Sequence, residues 1–187
     1  RSHKRDGVCL GTHRVYSLMM LVRLDDESGG QLITKETRKQ IMSYLGAVRD
    51  LVAASQRTDG SWTSNWTDGA DSVTMSDPDE PMSKRVIATG HHLEWLSIAP
   101  IELHPPRKQI LKAAEWLIAN VEATPQDEID SNYTFYLHAG KALAMWRNTS
   151  PAHFWTQWRT EHPDCEVFDT PMTKANTDQF SGTEAEH

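Results

Sequence analysis

The chain has 187 residues, and its 19 Lys and Arg residues stand against 26 Asp and Glu for a net charge of −7. That length suffices for one domain with a sizeable core. Because the basic residues are scattered rather than gathered into a stripe, a dedicated nucleic-acid surface is excluded. No apolar run approaches the ~18 residues of a transmembrane span, which predicts a soluble protein. The two cysteines, Cys9 and Cys165, make no disulfide framework and leave the compartment open.

The chain begins RSHKRDGVCLGTHRVYSL, and an apolar helical pattern starts almost at once, as though its preceding partner lay further upstream. A C-terminal fragment is therefore expected, with any targeting segment or upstream domain out of view and localisation unreadable. From Val8 to Leu24 apolar residues fall on nearly every face, the mark of a helix buried all round. DDESGG then supplies a turn, and Thr34 is placed to cap a second helix in which Ile41, Leu45, Val48, Leu51 and Val52 recur every three or four residues. That helix is amphipathic, with one face inward and one in water.

The same order returns further along. VIATGHHLEWLSIAP reads as another apolar helix, ended by Pro100, and PPRKQILKAAEWLIANV as another amphipathic one with proline in its first turn. YTFYLHAGKALAMW is a third apolar helix, PAHFWTQWRTE its short amphipathic companion, and residues 161–187 form a polar, loosely attached tail. Aligned without gaps, the three apolar helices place His13, His91 and His138 at one position, each followed five residues later by Leu18, Leu96 or Leu143. KQIM at Lys39 likewise answers KQIL at Lys108. The pattern is an all-α repeat of helical hairpins, roughly 45 to 80 residues per unit, spanning residues 1–160.

An apolar inner helix, an amphipathic outer helix and a QRTDGSW turn at residues 56–62 together resemble the α/α toroids of the squalene and terpene cyclases and the protein prenyltransferases. The resemblance implies hairpins arranged around a cavity lined by inner helices, and three hairpins would make about half of the six-hairpin ring. The catalytic signatures of those families are missing. No Asp-x-Asp-Asp proton donor occurs, since LDDE at Leu24 to Glu27 and DGAD at Asp68 to Asp71 do not reproduce it. An Asp-x-Cys arrangement for the prenyltransferase zinc is also absent.

If equivalent inner-helix positions face one cavity, His13, His91 and His138 converge, with Cys9 one helical turn before His13. Imidazoles and a thiolate make a borderline-soft ligand set suited to zinc, or an acid/base cluster. The same histidines could instead cap neighbouring helices. Glu94, three residues after His91, is placed either to orient that ring or to pair with Arg85 or Lys141. Trp95, Tyr133, Tyr136 and Trp146 would line an apolar pocket for a polyprenyl-like molecule or a peptide, or would simply be core. Asp25, Asp26 and Glu27 read as a solvated acidic helix end, and the polar stretch TSNWTDGADSVTMSDPDEP as a lid over a cavity mouth.

Three functions stay open on the sequence: a domain binding a hydrophobic ligand or peptide, a zinc- or histidine-dependent enzyme, and a structural segment of a larger protein. An apolar flank left by absent hairpins would favour self-association. Within QRTDGSW itself, the Asp-Gly pair, the glutamine amide and the indole are better suited to stapling helices than to catalysis.

Overall fold

The computed structural model describes residues 8–75 and 77–163. In chain order these form α1 (Thr12–Glu27), α2 (Lys35–Ser55), α3 (Asp71–Thr74), α4 (Met82–Ile98), α5 (Arg107–Ala123), α6 (Gln126–Ser131), α7 (Tyr133–Trp146) and α8 (Pro151–Glu161), with 3-10 turns at Val8–Gly11, Trp66–Asp68 and Ile101–Leu103. No strand occurs among the described residues, so the fold is all-α. None of the described helices is long and apolar enough to cross a membrane. Among the described residues, those up to Pro151 make one compact unit, and those from Ala152 to Pro163 belong to a second.

In the first unit every residue from Val86 to Leu96 is buried, which places α4 at its centre. It packs most extensively on α7, with α1 and α5 as its further neighbours, while α1 packs on α2. The long amphipathic helices α2 and α5 each bury one stripe, Ile41, Leu45, Val48 and Val52 in the first and Ile110, Ala113 and Leu117 in the second. Their opposite faces carry the charge and stay wet, as the three-and-four spacing predicts.

The expectation that all three apolar helices are buried all round holds for α4 alone. Only Thr12, Val15, Met19, Val22 and Asp25 are buried in α1, and Tyr136, Ala139, Ala142 and Ala144 in α7. The reason is position. The central helix is covered by α1, α5 and α7, whereas the flanking helices keep part of their surface toward solvent, which leaves Leu24 at 46% and Leu137 at 56% exposure.

The turn at residues 56–62 proves to be a staple. The Gln56 side-chain amide donates to the carbonyls of Gly60 (2.9 Å) and Gln109 (2.7 Å), and Gln109 returns a bond to Ala53 O (2.9 Å). Lys112 Nζ reaches Thr58 O at 2.6 Å, so the end of α2 is tied to the start of α5. Gly60 sits at φ +103° with the Lys112 backbone where a Cβ would stand, which makes glycine obligatory on two counts. Asp59 caps Ser61 through Oδ1, at 3.0 Å to its backbone N–H and 2.8 Å to its hydroxyl, and pairs with Arg85 through Oδ2. That aspartate is fully committed to the turn.

Two further expectations are corrected. Asp25 is not solvated: it is 1% exposed, and its carboxylate accepts from Leu32 N (2.9 Å), Ile33 N (3.2 Å) and Arg38 (2.8 Å) while Arg38 also pairs with Asp26. Burial alone would raise its pKa, but these backbone and guanidinium bonds hold it below the ordinary carboxylate range. It clamps the α1–α2 turn. The long polar stretch after Trp62 is not a free lid either, because Thr63, Ser64, Trp66 and Thr67 are buried and Ser64 N is held by Glu80 at 2.9 Å. The buried indole of Trp66, with that of Trp62 just before it, outweighs the polar composition of the stretch.

In the second unit, α8 carries an aromatic row, with Trp155 stacked on Trp158 at 5.4 Å and Trp158 on His162 at 4.6 Å. Most of the tail expected at 161–187, including Cys165, lies outside the described residues.

Candidate functional site

Glycine at position 90 opens the construction of the site. A Cβ there would meet the His138 and Ala139 backbone at 3.1 to 3.3 Å, so its absence lets α7 lie close on α4 at that level. The close approach brings His138 beside His91, with ring centroids 3.9 Å apart. His13, at the start of α1, completes the group at 4.8 Å from His91 and 6.1 Å from His138. Three histidines from α1, α4 and α7 therefore meet.

Glu94 lies beneath them. One oxygen of its carboxylate accepts from His91 Nδ1 and the other from His138 Nδ1, both at 3.0 Å, and Lys141 Nζ stands 3.7 Å away. The side chain is 3% exposed. Desolvation would raise its pKa, but hydrogen bonds from His138 and His91, with the nearby charges of His91 and Lys141, hold it down to about 2. An ionised carboxylate only accepts, so both rings donate to it from Nδ1. Burial in turn lowers the pKa of His91 and keeps the ring neutral, against the pull of Glu94.

The free edge of this group is unusual. His91 is 3% exposed, and its Nε2 is buried without a hydrogen-bond partner among the described residues. A donor set of Cys9, His13 and His91 has its ligating atoms all within 4.8 Å of one another, and so does the set of His91, Glu94 and His138. Cys9 does not reach His13 along a helical turn as the spacing implied. It belongs to the Val8–Gly11 turn, in which Cys9 (φ 50°), Leu10 (φ 62°) and Gly11 (φ 80°) are all left-handed. Thr12 Oγ1 bonds to Cys9 O (2.6 Å) and Trp66 Nε1 to Leu10 O (3.2 Å), fixing the turn against that strain. Burial and the charge of Glu94 push the Cys9 thiol up from its ordinary pKa.

The group is buried on one side and open on the other. His13 is exposed, Cys9 half-buried, and the His138 side chain 23% exposed. Desolvation lowers the pKa of His13, as does the neighbouring His138, while Glu94 opposes them. His92, adjacent in sequence, belongs elsewhere: its Nδ1 accepts from Trp95 Nε1 at 3.1 Å, and its ring lies edge-on to Trp62 and Trp66 at 5.2 and 4.8 Å.

The four aromatics expected to share a pocket are not brought together. Trp95 is fully buried against His92, Tyr136 is buried and bonded to Thr124 (3.2 Å), and Tyr133 is 60% exposed. Trp146 faces an apolar groove of ≈ 680 Å³ lined also by Leu93, Ile101, Pro105, Ile110 and Leu111. Sequence reasoning overlooked Gly90 and Tyr16, whose ring lies 4.7 Å beneath Lys141 Nζ. A glycine inside an otherwise apolar helix was the available signal for the first.

Comparison with known proteins supplies no relative: no family model, no curated protein and no solved structure matches the chain.

Proposed function

We propose that this chain is an α/α-toroid-type helical-hairpin domain whose function resides in the polar centre of Cys9, His13, His91, Glu94 and His138. Its chemistry is that of a Lewis-acid or acid–base centre acting on a molecule that enters from the solvent-open side. One observation carries the reading: α1, α4 and α7 each deliver a histidine to one cluster, in which His91 and His138 share a single buried carboxylate. A cluster built for stability alone would satisfy every member. Here His91 Nε2 is left without a partner, and His13 makes ring contacts but no hydrogen bond among the described residues.

Functional groups arranged in this way are seldom optimal for stability. The variant His13→Ala is therefore expected to unfold within about 0.5 kcal/mol of the wild-type chain in urea, or to be stabilised, whereas His138→Ala removes a hydrogen bond to the buried Glu94 and should cost more. A loss above about 2 kcal/mol in the His13 variant would return the cluster to a structural role.

A second reading is favoured by the groove beside Trp146. Its volume and apolar lining suit a hydrophobic small molecule better than a peptide. An apolar fluorescent probe is expected to bind the wild-type chain and to lose affinity when Ile101 at the rim becomes aspartate. Equal binding by both proteins would remove the groove from consideration.

A further inference from the structure

Resting on the reading of the cluster as the functional centre, we infer that Cys9, His13 and His91 bind one zinc-type divalent ion. Its fourth position stays open to solvent or ligand, and Glu94 serves as the carboxylate behind the coordinating ring. The donor set determines the class of metal. A thiolate with two imidazoles selects borderline-soft ions and disfavours magnesium and calcium, which take oxygen ligands.

Distances support a single ion. Tetrahedral zinc sets its ligand atoms about 3.3 to 3.6 Å apart, and the three donors already lie within 4.8 Å of one another. A contraction of about one ångström around the ion completes the geometry. The exposed rotamer of His13 and the half-buried Cys9 thiol are free to supply that movement, whereas His91 is fixed.

His91 provides the independent observation. Its Nδ1–H is committed to Glu94, so Nε2 carries a lone pair, buried and without a partner. Leaving such an atom unsatisfied carries a desolvation penalty, which a bonded ion removes. Carboxylate–histidine–metal relays use this arrangement to fix the tautomer and raise ligand basicity. The left-handed turn at Cys9 and Leu10 adds to the argument, since it holds the thiol beside the two histidines at the expense of backbone strain.

The alternative trio of His91, Glu94 and His138 reads differently. Glu94 already accepts N–H bonds from both rings, and an ion among these atoms would have to displace both protons. His138 thus lies beside the ion without binding it, its ring centroid 6.1 Å from that of His13.

The test uses the full chain, stripped of metal under reducing conditions and titrated with Co²⁺. One ion per chain is expected, with visible absorption of tetrahedral type and a near-ultraviolet thiolate-to-metal band. Cys9→Ser should abolish the ultraviolet band and Cys165→Ser should retain it. His91→Gln should lose stoichiometric binding, His138→Gln should keep it, and Glu94→Gln should weaken it by about 10- to 100-fold. No stoichiometric Co²⁺ in the wild-type chain, or a band indifferent to Cys9, would overturn the assignment. Failure here together with a stability-neutral His13 variant would overturn the metal alone, whereas a destabilised His13 variant would overturn the functional centre as well.

Discussion

Replacing Trp62 with alanine is expected to destabilise the protein by about 3 to 5 kcal/mol, enough to unfold much of the chain at 37 °C. The indole is fully buried, its Nε1 donates to Val52 O at 2.8 Å, and its backbone N–H donates to Thr89 Oγ1 at 3.0 Å. Truncation therefore combines three losses. A large cavity opens between α2 and α4, the Val52 carbonyl loses the indole N–H and keeps the Ser55 hydroxyl at 3.2 Å, and the edge contact with His92 disappears. Trp62→Phe keeps most of the volume and loses the hydrogen bond, so it should cost about 1 to 2 kcal/mol. Urea unfolding followed by circular dichroism separates the two, and a Trp62→Ala loss below about 1 kcal/mol would show that the staple is dispensable.

Acidification should destabilise the metal-free protein from near pH 6.5 downward, with a total effect on the order of 4 kcal/mol by pH 3. His92 is fully buried, and desolvation, joined by the charge of His91, holds its pKa down to about 3 from an ordinary 6.5. Between those values the unfolded chain takes up a proton that the folded chain refuses. Stability is thus complete above pH 6.5 and falls as the pH drops toward 3. The lowered pKa values of His91 and His13 act in the same direction. Glu94 adds a lower window, because a carboxylate held at about 2 stabilises fully above its ordinary 4.5 and loses that contribution as the pH falls toward 2. Unfolding midpoints at pH 7 and pH 5 test the histidine part. His92→Gln, whose side-chain oxygen can still accept from Trp95, should flatten the difference between them, and an unchanged pH slope in that variant would assign it elsewhere.

Both predictions concern residues that the sequence marked without placing. QRTDGSW was readable as a staple because its chemistry is local: Gly60 needs a positive φ and Asp59 bonds within its own turn. Its second attachment point, the first turn of α5 at Gln109 and Lys112, was not readable, since fifty-odd residues intervene and no periodicity relates them. His92 stood beside His91 in the sequence, and only the 100° step of a helix sends one ring to the tryptophans and the other to Glu94. The aromatic pocket failed for a similar reason. Apolar type alone does not say whether a ring meets core, solvent or cavity, and Tyr133 and Trp95 met opposite fates.

By itself the sequence determined the helical class, the alternation of apolar and amphipathic helices and the cap at Thr34, and it marked His13, His91 and His138 as equivalent helix positions. These are consequences of short-range periodicity and turn chemistry, which any stretch of a dozen residues carries within itself. Tertiary structure alone decided that α4 is buried all round while α1 and α7 are not, that Asp25 is a clamp, and that Cys9 reaches the histidines through a left-handed turn. It also decided the convergence on one carboxylate, because Glu94 receives a second histidine from a helix 44 residues away and only the close approach at Gly90 brings that helix within hydrogen-bond reach.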